Sequence, residues 1–193
     1  MGDNVENKII YNVFTDSEIE DIYKAVDAVS EKTQVQEFLG RTRVDYEGDE
    51  ILNLPESITN KILNIFKDID PKYVFRYFTY VEYNNKHGVP RLGPHKDQTG
   101  FTATINCQLE SNIDWDIYVD GIAYSLKDNS ALILNVRDQD HWRPEKEFKD
   151  NEFLRMLFIH AYDPEDPDLN VVTPEQLRET NERWKHITKI EKF

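Results

Sequence analysis

Two periodicities divide the chain. Near the start, Thr15-Asp16-Ser17-Glu18 forms a capping box in which Thr15 and Glu18 satisfy each other's free backbone donors. Ile19, Ile22, Tyr23, Val26 and Val29 then recur at helical spacing and keep one apolar face. A second helix is expected from Pro55, with Ile58, Ile62, Leu63 and Phe66 on its buried side. From Tyr73 to Tyr83 the period changes to 2, and Tyr73, Phe75, Tyr77, Thr79, Val81 and Tyr83 share a face rich in β-branched and aromatic residues. Short strands are expected over Thr102–Leu109, Trp115–Val119, Ile122–Leu126, Ala131–Val136 and Phe153–Ala161, separated by turn signals such as Asp120-Gly121 and Lys127-Asp128-Asn129. Helices followed by a run of strands predict an all-β core with flanking helices, an antiparallel sandwich or barrel covered on one side. After a polar stretch from Asp163 to Asp168, a C-terminal helix is expected over about 173–190, capped by Thr173-Pro174-Glu175-Gln176, with Leu177, Trp184 and Ile187 available to dock on this sheet or on a second copy.

Composition narrows the class. The 193 residues form one domain over 1–193, with no linker composition and no repeat, and its core is expected over about 73–162. Lys and Arg number 23 against 37 Asp and Glu, a net charge of −14, which argues against a nucleic-acid partner and against an anionic membrane surface. The single cysteine, Cys107, excludes an internal disulfide framework and reads as a small buried hydrophobe. The acidic start Met1-Gly2-Asp3-Asn4 lacks the basic and apolar segments of a secretory signal, so a cytoplasmic location is expected.

Three features carry candidate chemistry. In His95-Lys96-Asp97, an extended backbone projects the imidazole and the carboxylate to one side, where both can grip a single cation. With a second histidine from a distant strand they form the facial triad suited to non-haem Fe(II). His141, delivered by the acidic loop after the Ala131–Val136 strand, is the preferred distal ligand. His87 sits too close upstream beside Gly88, His186 lies on the terminal helix, and His160 reads as a core histidine bonded to a neighbouring strand. The second feature is Arg155, which shares a face with Phe153, Leu157, Ile159 and Ala161 and needs water or an anion, such as the carboxylate of a small acid or a cross-strand acid. The third is the polar face Thr102, Thr104, Asn106, Gln108, which either meets solvent or makes Asn106 and Gln108 hydrogen-bonding walls of a cavity.

In chain order these features resemble the iron(II)- and 2-oxoglutarate-dependent dioxygenase superfamily, within it the prolyl-hydroxylase-like branch. The resemblance covers about Lys8 to Tyr162: the opening from Ile9 to Glu18, the aromatic strand ending Val81-Glu82-Tyr83-Asn84, Pro94-His95-Lys96-Asp97, the strand Phe101–Leu109, the strand from Asn129 to Leu134, His141 and Arg155. It implies a distorted double-stranded β-helix, jelly-roll or cupin-like, with N-terminal helices on one sheet. It implies Fe(II) held by His95, Asp97 and His141, 2-oxoglutarate as co-substrate with its distal carboxylate on Arg155 and Tyr83, O2 as oxidant, and Asn106 and Gln108 facing the pocket. The expected activity is hydroxylation of a C–H bond in a peptidyl, prolyl included, or small-molecule substrate, with release of succinate and CO2.

The chain departs from the family in three places. Polar Asn106 and Gln108 stand where aromatics or aliphatics are common, Lys86-His87-Gly88-Val89-Pro90-Arg91 stretches the loop before His95, and Arg155 follows His141 by 14 residues, further than the family usually leaves. The longer loop offers Arg143 as a rival anchor. Arg155 is favoured because alternation turns it inward, whereas Arg143 lies beside Pro144 in an expected loop. Lys86, Arg91 and Lys96 form a basic rim expected to recognise an acidic or polar partner. An idle β-helix serving as an acidic binding module, or a non-oxidative metal enzyme with the same ligands, are the competing readings.

Overall fold

The computed structural model describes residues 6–28, 33–35, 44–46, 54–86, 88–97 and 102–165. The expected C-terminal helix, with Leu177, Trp184, His186 and Ile187, lies outside them, as do Val29 and His87. Among the described residues, eleven strands and two helices run in the order β1 (Lys8–Tyr11), α1 (Asp16–Asp27), β2 (Thr33–Val35), β3 (Val44–Tyr46), α2 (Glu56–Ile69), β4 (Val74–Tyr83), β5 (Leu92–His95), β6 (Ala103–Ser111), β7 (Ile117–Val119), β8 (Ile122–Tyr124), β9 (Ser130–Leu134), β10 (His141–Arg143) and β11 (Leu154–Tyr162). The seven-stranded sheet has the order β1-β9-β6-β11-β4-β3-β2 and the four-stranded sheet β5-β10-β7-β8.

Both helices form where expected. The Thr15 amide donates to Glu18 Oε2 (2.7 Å) and the Glu18 amide returns to Thr15 Oγ1 (3.3 Å), completing the capping box of α1. Ile22 and Val26 of α1, with Ile58, Ile62 and Phe66 of α2, bury one face of the large sheet through Ala103, Ile105, Cys107 and Leu109 of β6 and Leu157, Ile159 and Ala161 of β11. Cys107 is therefore a core residue, and burial pushes its thiol well above the usual range.

The opposite face of the large sheet is also covered. Leu132 and Leu134 of β9 pack with Ile117 and Val119 of β7, while Val81, Tyr83, Leu154, Met156 and Phe158 pack with Trp115 and Phe148. Thr104, Asn106 and Gln108 consequently face the space between the sheets rather than solvent, each 5% exposed or less. The alternation expected from Tyr73 to Tyr83 is broken by an irregularity at Ala161, where β11 passes from Tyr77 to Phe75. Tyr73 and Phe75 accordingly join the helix side, whereas Val81 and Tyr83 point between the sheets.

Asn129 fastens the chain entering α1 to the turn before β9. Its backbone is left-handed (φ 55°), its Oδ1 accepts from the Phe14 amide (2.8 Å), and its Nδ2 donates to the Phe14 carbonyl (2.6 Å). Asn129→Ala is expected to destabilise the fold by about 2–3 kcal/mol in chemical denaturation, from two lost hydrogen bonds and a φ that alanine resists.

Candidate metal centre and its pocket

His95 ends β5, an edge strand, and pairs directly with His141, the first residue of β10. Asp97 lies two residues further, and its amide donates to the Val136 carbonyl (2.8 Å), which ties it to the end of β9. His95 Nε2 is 3.4 Å and His141 Nε2 3.8 Å from the same oxygen, Asp97 Oδ1. One ligand atom from each residue lies within 4.8 Å of the others.

Each imidazole is oriented from behind. His95 Nδ1 donates to the Gly93 carbonyl (2.8 Å) and His141 Nδ1 to the Gln139 carbonyl (3.3 Å). These contacts engage Nδ1 of each ring and leave both Nε2 atoms turned toward Asp97, the arrangement expected behind metal-ligating histidines. Burial alone would raise the Asp97 carboxyl, but the His95 hydrogen bond and the charges of His141, His160 and His95 hold it far below the usual carboxylate range. Two imidazole nitrogens and one carboxylate oxygen that converge in this way fit a non-haem Fe(II). Neighbouring ligands of a six-coordinate ion sit about 3 Å apart, so small side-chain rotations close the observed 3.4 and 3.8 Å spacings onto one.

Arg155 does not face this site. Its odd-numbered companions Leu157, Ile159 and Ala161 do share its side of β11, but that side is the one the helices cover. Arg155 Nη1 donates to Glu110 Oε2 (2.7 Å) and Nε to Glu82 Oε2 (3.4 Å), both directly across from it on the flanking strands. Its guanidinium also lies over the rings of Tyr23 and Phe153. The expectation that alternation turns Arg155 into the pocket is thus corrected: it is a cross-strand ion pair, since the pocket side of β11 is the even one.

Arg143 occupies the interior instead. It ends β10 rather than lying in a loop, two residues from His141 and therefore on the same side of the strand. The side chain is 1% exposed, donates from Nη1 to the Trp115 carbonyl, lies over the Trp115 ring, and places Nη2 3.9 Å from Met156 Sδ. Among the described residues no carboxylate comes within ion-pair distance, and burial pulls its pKa down to about 10 against the opposing influence of Tyr83 and Asp116. It remains charged at neutral pH. A buried guanidinium that meets no carboxylate among the described residues has the chemistry to receive one from a ligand. The spacing from His141 was the available signal, and the adjacent proline masked it.

The other expected site residues divide. Tyr83 is fully buried beside Trp115, ring centroids 5.0 Å apart, at the Arg143 end. Asn106 and Gln108 line the floor opposite the small sheet, and Gln108 Nε2 donates to Asp128 Oδ1 (3.3 Å). His160 bonds through Nδ1 to Thr104 Oγ1 on the neighbouring strand (3.0 Å), as a core histidine should.

No protein-family model and no curated protein matches the sequence. Solved structures do match in three dimensions. A viral collagen prolyl hydroxylase from Paramecium bursaria Chlorella virus-1, in complex with 2-oxoglutarate, superposes with a TM-score of 0.56 at 11% identity, covering 80% of this chain and 94% of that one. The fold is a double-stranded β-helix, shared with that structure. A Trichoplax adhaerens prolyl hydroxylase bound to a hypoxia inducible factor peptide gives 0.55 at 12% identity, covering 81% of this chain and 83% of that one. The non-haem α-ketoglutarate-dependent epimerase SnoN of nogalamycin biosynthesis gives 0.60 at 10% identity, covering 83% and 78%.

Proposed function

We propose that the protein is an Fe(II)- and 2-oxoglutarate-dependent oxygenase that hydroxylates a C–H bond of a peptidyl or small-molecule substrate. The observation that carries this reading is a His95/Asp97/His141 cluster with both imidazoles oriented from behind, in one interior with a buried Arg143 that meets no carboxylate among the described residues. When bound, Fe(II) with 2-oxoglutarate and O2 supplies the oxidation, yielding succinate and CO2 and one oxygen atom to the substrate. His95, Asp97 and His141 hold the ion on one side and leave the other for ligands. Arg143, with Tyr83, takes the distal carboxylate in a pocket that Leu132, Met156 and Phe158 keep dry, which strengthens that ion pair. Two of the compared structures are prolyl hydroxylases, one with a peptide, which favours a peptidyl target. Lys86, Arg91 and Lys96 are exposed, and Arg91 reaches Glu145 (3.5 Å), so Lys86 and Lys96 are the candidate basic contacts for such a target.

The test is binding followed by turnover. With Mn(II) as a redox-quiet stand-in and 2-oxoglutarate at about a hundred times its Kd, the melting temperature is expected to rise by roughly 5–10 °C. With Fe(II) and O2, succinate should accumulate. A rise with metal but none on adding 2-oxoglutarate would favour the non-oxidative metal enzyme, and no rise with either would favour a binding module.

A further inference from the structure

Among the edge strands whose side chains are described, β8 alone carries nothing that resists pairing with a further strand. β1 carries Lys8 and β5 carries Pro94, residues that blunt an edge. β8 reads Ile122-Ala123-Tyr124, with no charge and no proline, and Ile122 is 60% exposed.

The hairpin that builds this edge decides which backbone groups face outward. Asp120 and Gly121 both have positive φ (49° and 83°) and close a two-residue turn in which Val119 pairs with Ile122. The Asp120 amide donates to the Asp140 carbonyl (2.8 Å), so along β7 the even-numbered backbone groups serve the β10 side and the odd-numbered ones serve β8. Val119 and Ile117 therefore bond to Ile122 and Tyr124. Ala123, opposite Tyr118, turns its N–H and C=O away from the sheet, and it is exposed.

The outer face beside that edge has a chemistry of its own. Trp115, Ile117 and Val119 point between the sheets, which turns Tyr118 outward, where it stacks on Trp142 of β10 (centroids 5.4 Å apart, planes at 16°). Trp142 covers one face of the Tyr118 ring, and on the other side the cross-strand neighbour is only Ala123, which leaves the second face open. Asp116 and Asp120 lie two residues to either side of Tyr118, about 7 Å along the chain. Neither comes within ion-pair distance of a cation among the described residues.

An aromatic face between two carboxylates suits an Arg or Lys side chain. We propose that β8 docks an extended segment of a partner protein in which one basic residue stands between two apolar ones. The basic residue pairs with Ala123 through both backbone bonds and passes its side chain over the Tyr118 ring. Its apolar neighbours stand opposite Ile122 and Tyr124 and cover the exposed isoleucine. A second copy of this chain fits less well, because its own β8 offers alanine at that register and its net charge is −14. The edge uses neither the metal ligands nor Arg143, so the proposal stands apart from the oxygenase reading.

The experiment titrates the isotope-labelled full chain with the peptide acetyl-Thr-Val-Arg-Val-Thr-amide and follows its amide resonances. Shifts should be confined to the Tyr118–Tyr124 hairpin and Trp142, with the Ala123 amide moving most. A peptide with Glu in place of Arg should bind about tenfold more weakly. The same loss is expected for the Arg peptide on the double variant Asp116→Asn, Asp120→Asn, in which asparagine keeps both the turn and the acceptor for the Asp140 amide. A peptide N-methylated at the arginine cannot donate to the Ala123 carbonyl and should not bind. Ala123→Pro removes only an edge-facing N–H and should abolish binding with the melting temperature near that of wild type. If that variant does not fold, the methylated peptide on wild-type protein decides the matter. Equal affinity for the methylated and unmethylated peptides, or for the Arg and Glu peptides, would overturn the proposal. So would no binding at millimolar peptide, or self-association of the chain that Ala123→Pro abolishes.

Discussion

Asp97→Ala is expected to reduce succinate formation to the level seen without protein. The variant removes the one anionic ligand and leaves two neutral imidazoles, too few donors to hold Fe(II) in a fixed geometry. Because His95 Nε2 and His141 Nε2 both converge on Asp97 Oδ1, no other carboxylate among the described residues replaces it. The fold should survive, because the backbone bond from Asp97 to Val136 does not depend on the side chain. The measurement pairs a succinate assay with metal content after desalting, and His95→Ala and His141→Ala serve as companions. Undiminished iron-dependent turnover in the folded Asp97 variant would refute the assignment of the cluster.

Replacing Arg143 should separate binding from stability. In Arg143→Met the guanidinium is lost at nearly constant volume, and affinity for 2-oxoglutarate is expected to fall at least a hundredfold, the scale for losing the partner of a buried charged group. The ligand-free protein should nevertheless melt no lower than wild type, since a fully buried charge with no described counter-ion costs desolvation free energy that an apolar side chain does not. Arg155→Met should do the reverse: it breaks the contacts to Glu82 and Glu110 and lowers the melting temperature while 2-oxoglutarate affinity is unchanged. A loss of ligand affinity confined to Arg155→Met would restore that residue as the anchor.

How much of this was legible in the sequence depends on which force shapes each element. The helices were readable because their signals are local: Thr15 and Glu18 cap α1, and Ile58, Ile62 and Phe66 stripe α2. The longer strands β4, β6 and β11 were readable from alternation. Strands β1, β5 and β10 are three or four residues long, set by their neighbours rather than by any pattern of their own, and Arg143 was misplaced for that reason. His95 and Asp97 required only a period of 2, and His141 only a loop of suitable length. Arg155 required knowing which face of β11 looks at which layer. Alternation assigns residues to two faces but does not say which is the pocket when both are buried, as β6 and β11 are.

That double burial has a consequence for how the protein can change. On β6 and β11 the residues gripping the helices and those lining the pocket alternate along the same backbone. Ile105, Cys107, Leu157 and Ile159 maintain the architecture, while Asn106, Gln108, Met156 and Phe158 set the cavity's chemistry. The two sets project to opposite sides of one sheet, so a substitution in one leaves the side-chain packing of the other in place. New ligand preferences can therefore be explored at every second position without dismantling the scaffold, whereas a single-residue insertion in either strand would exchange the two roles at once.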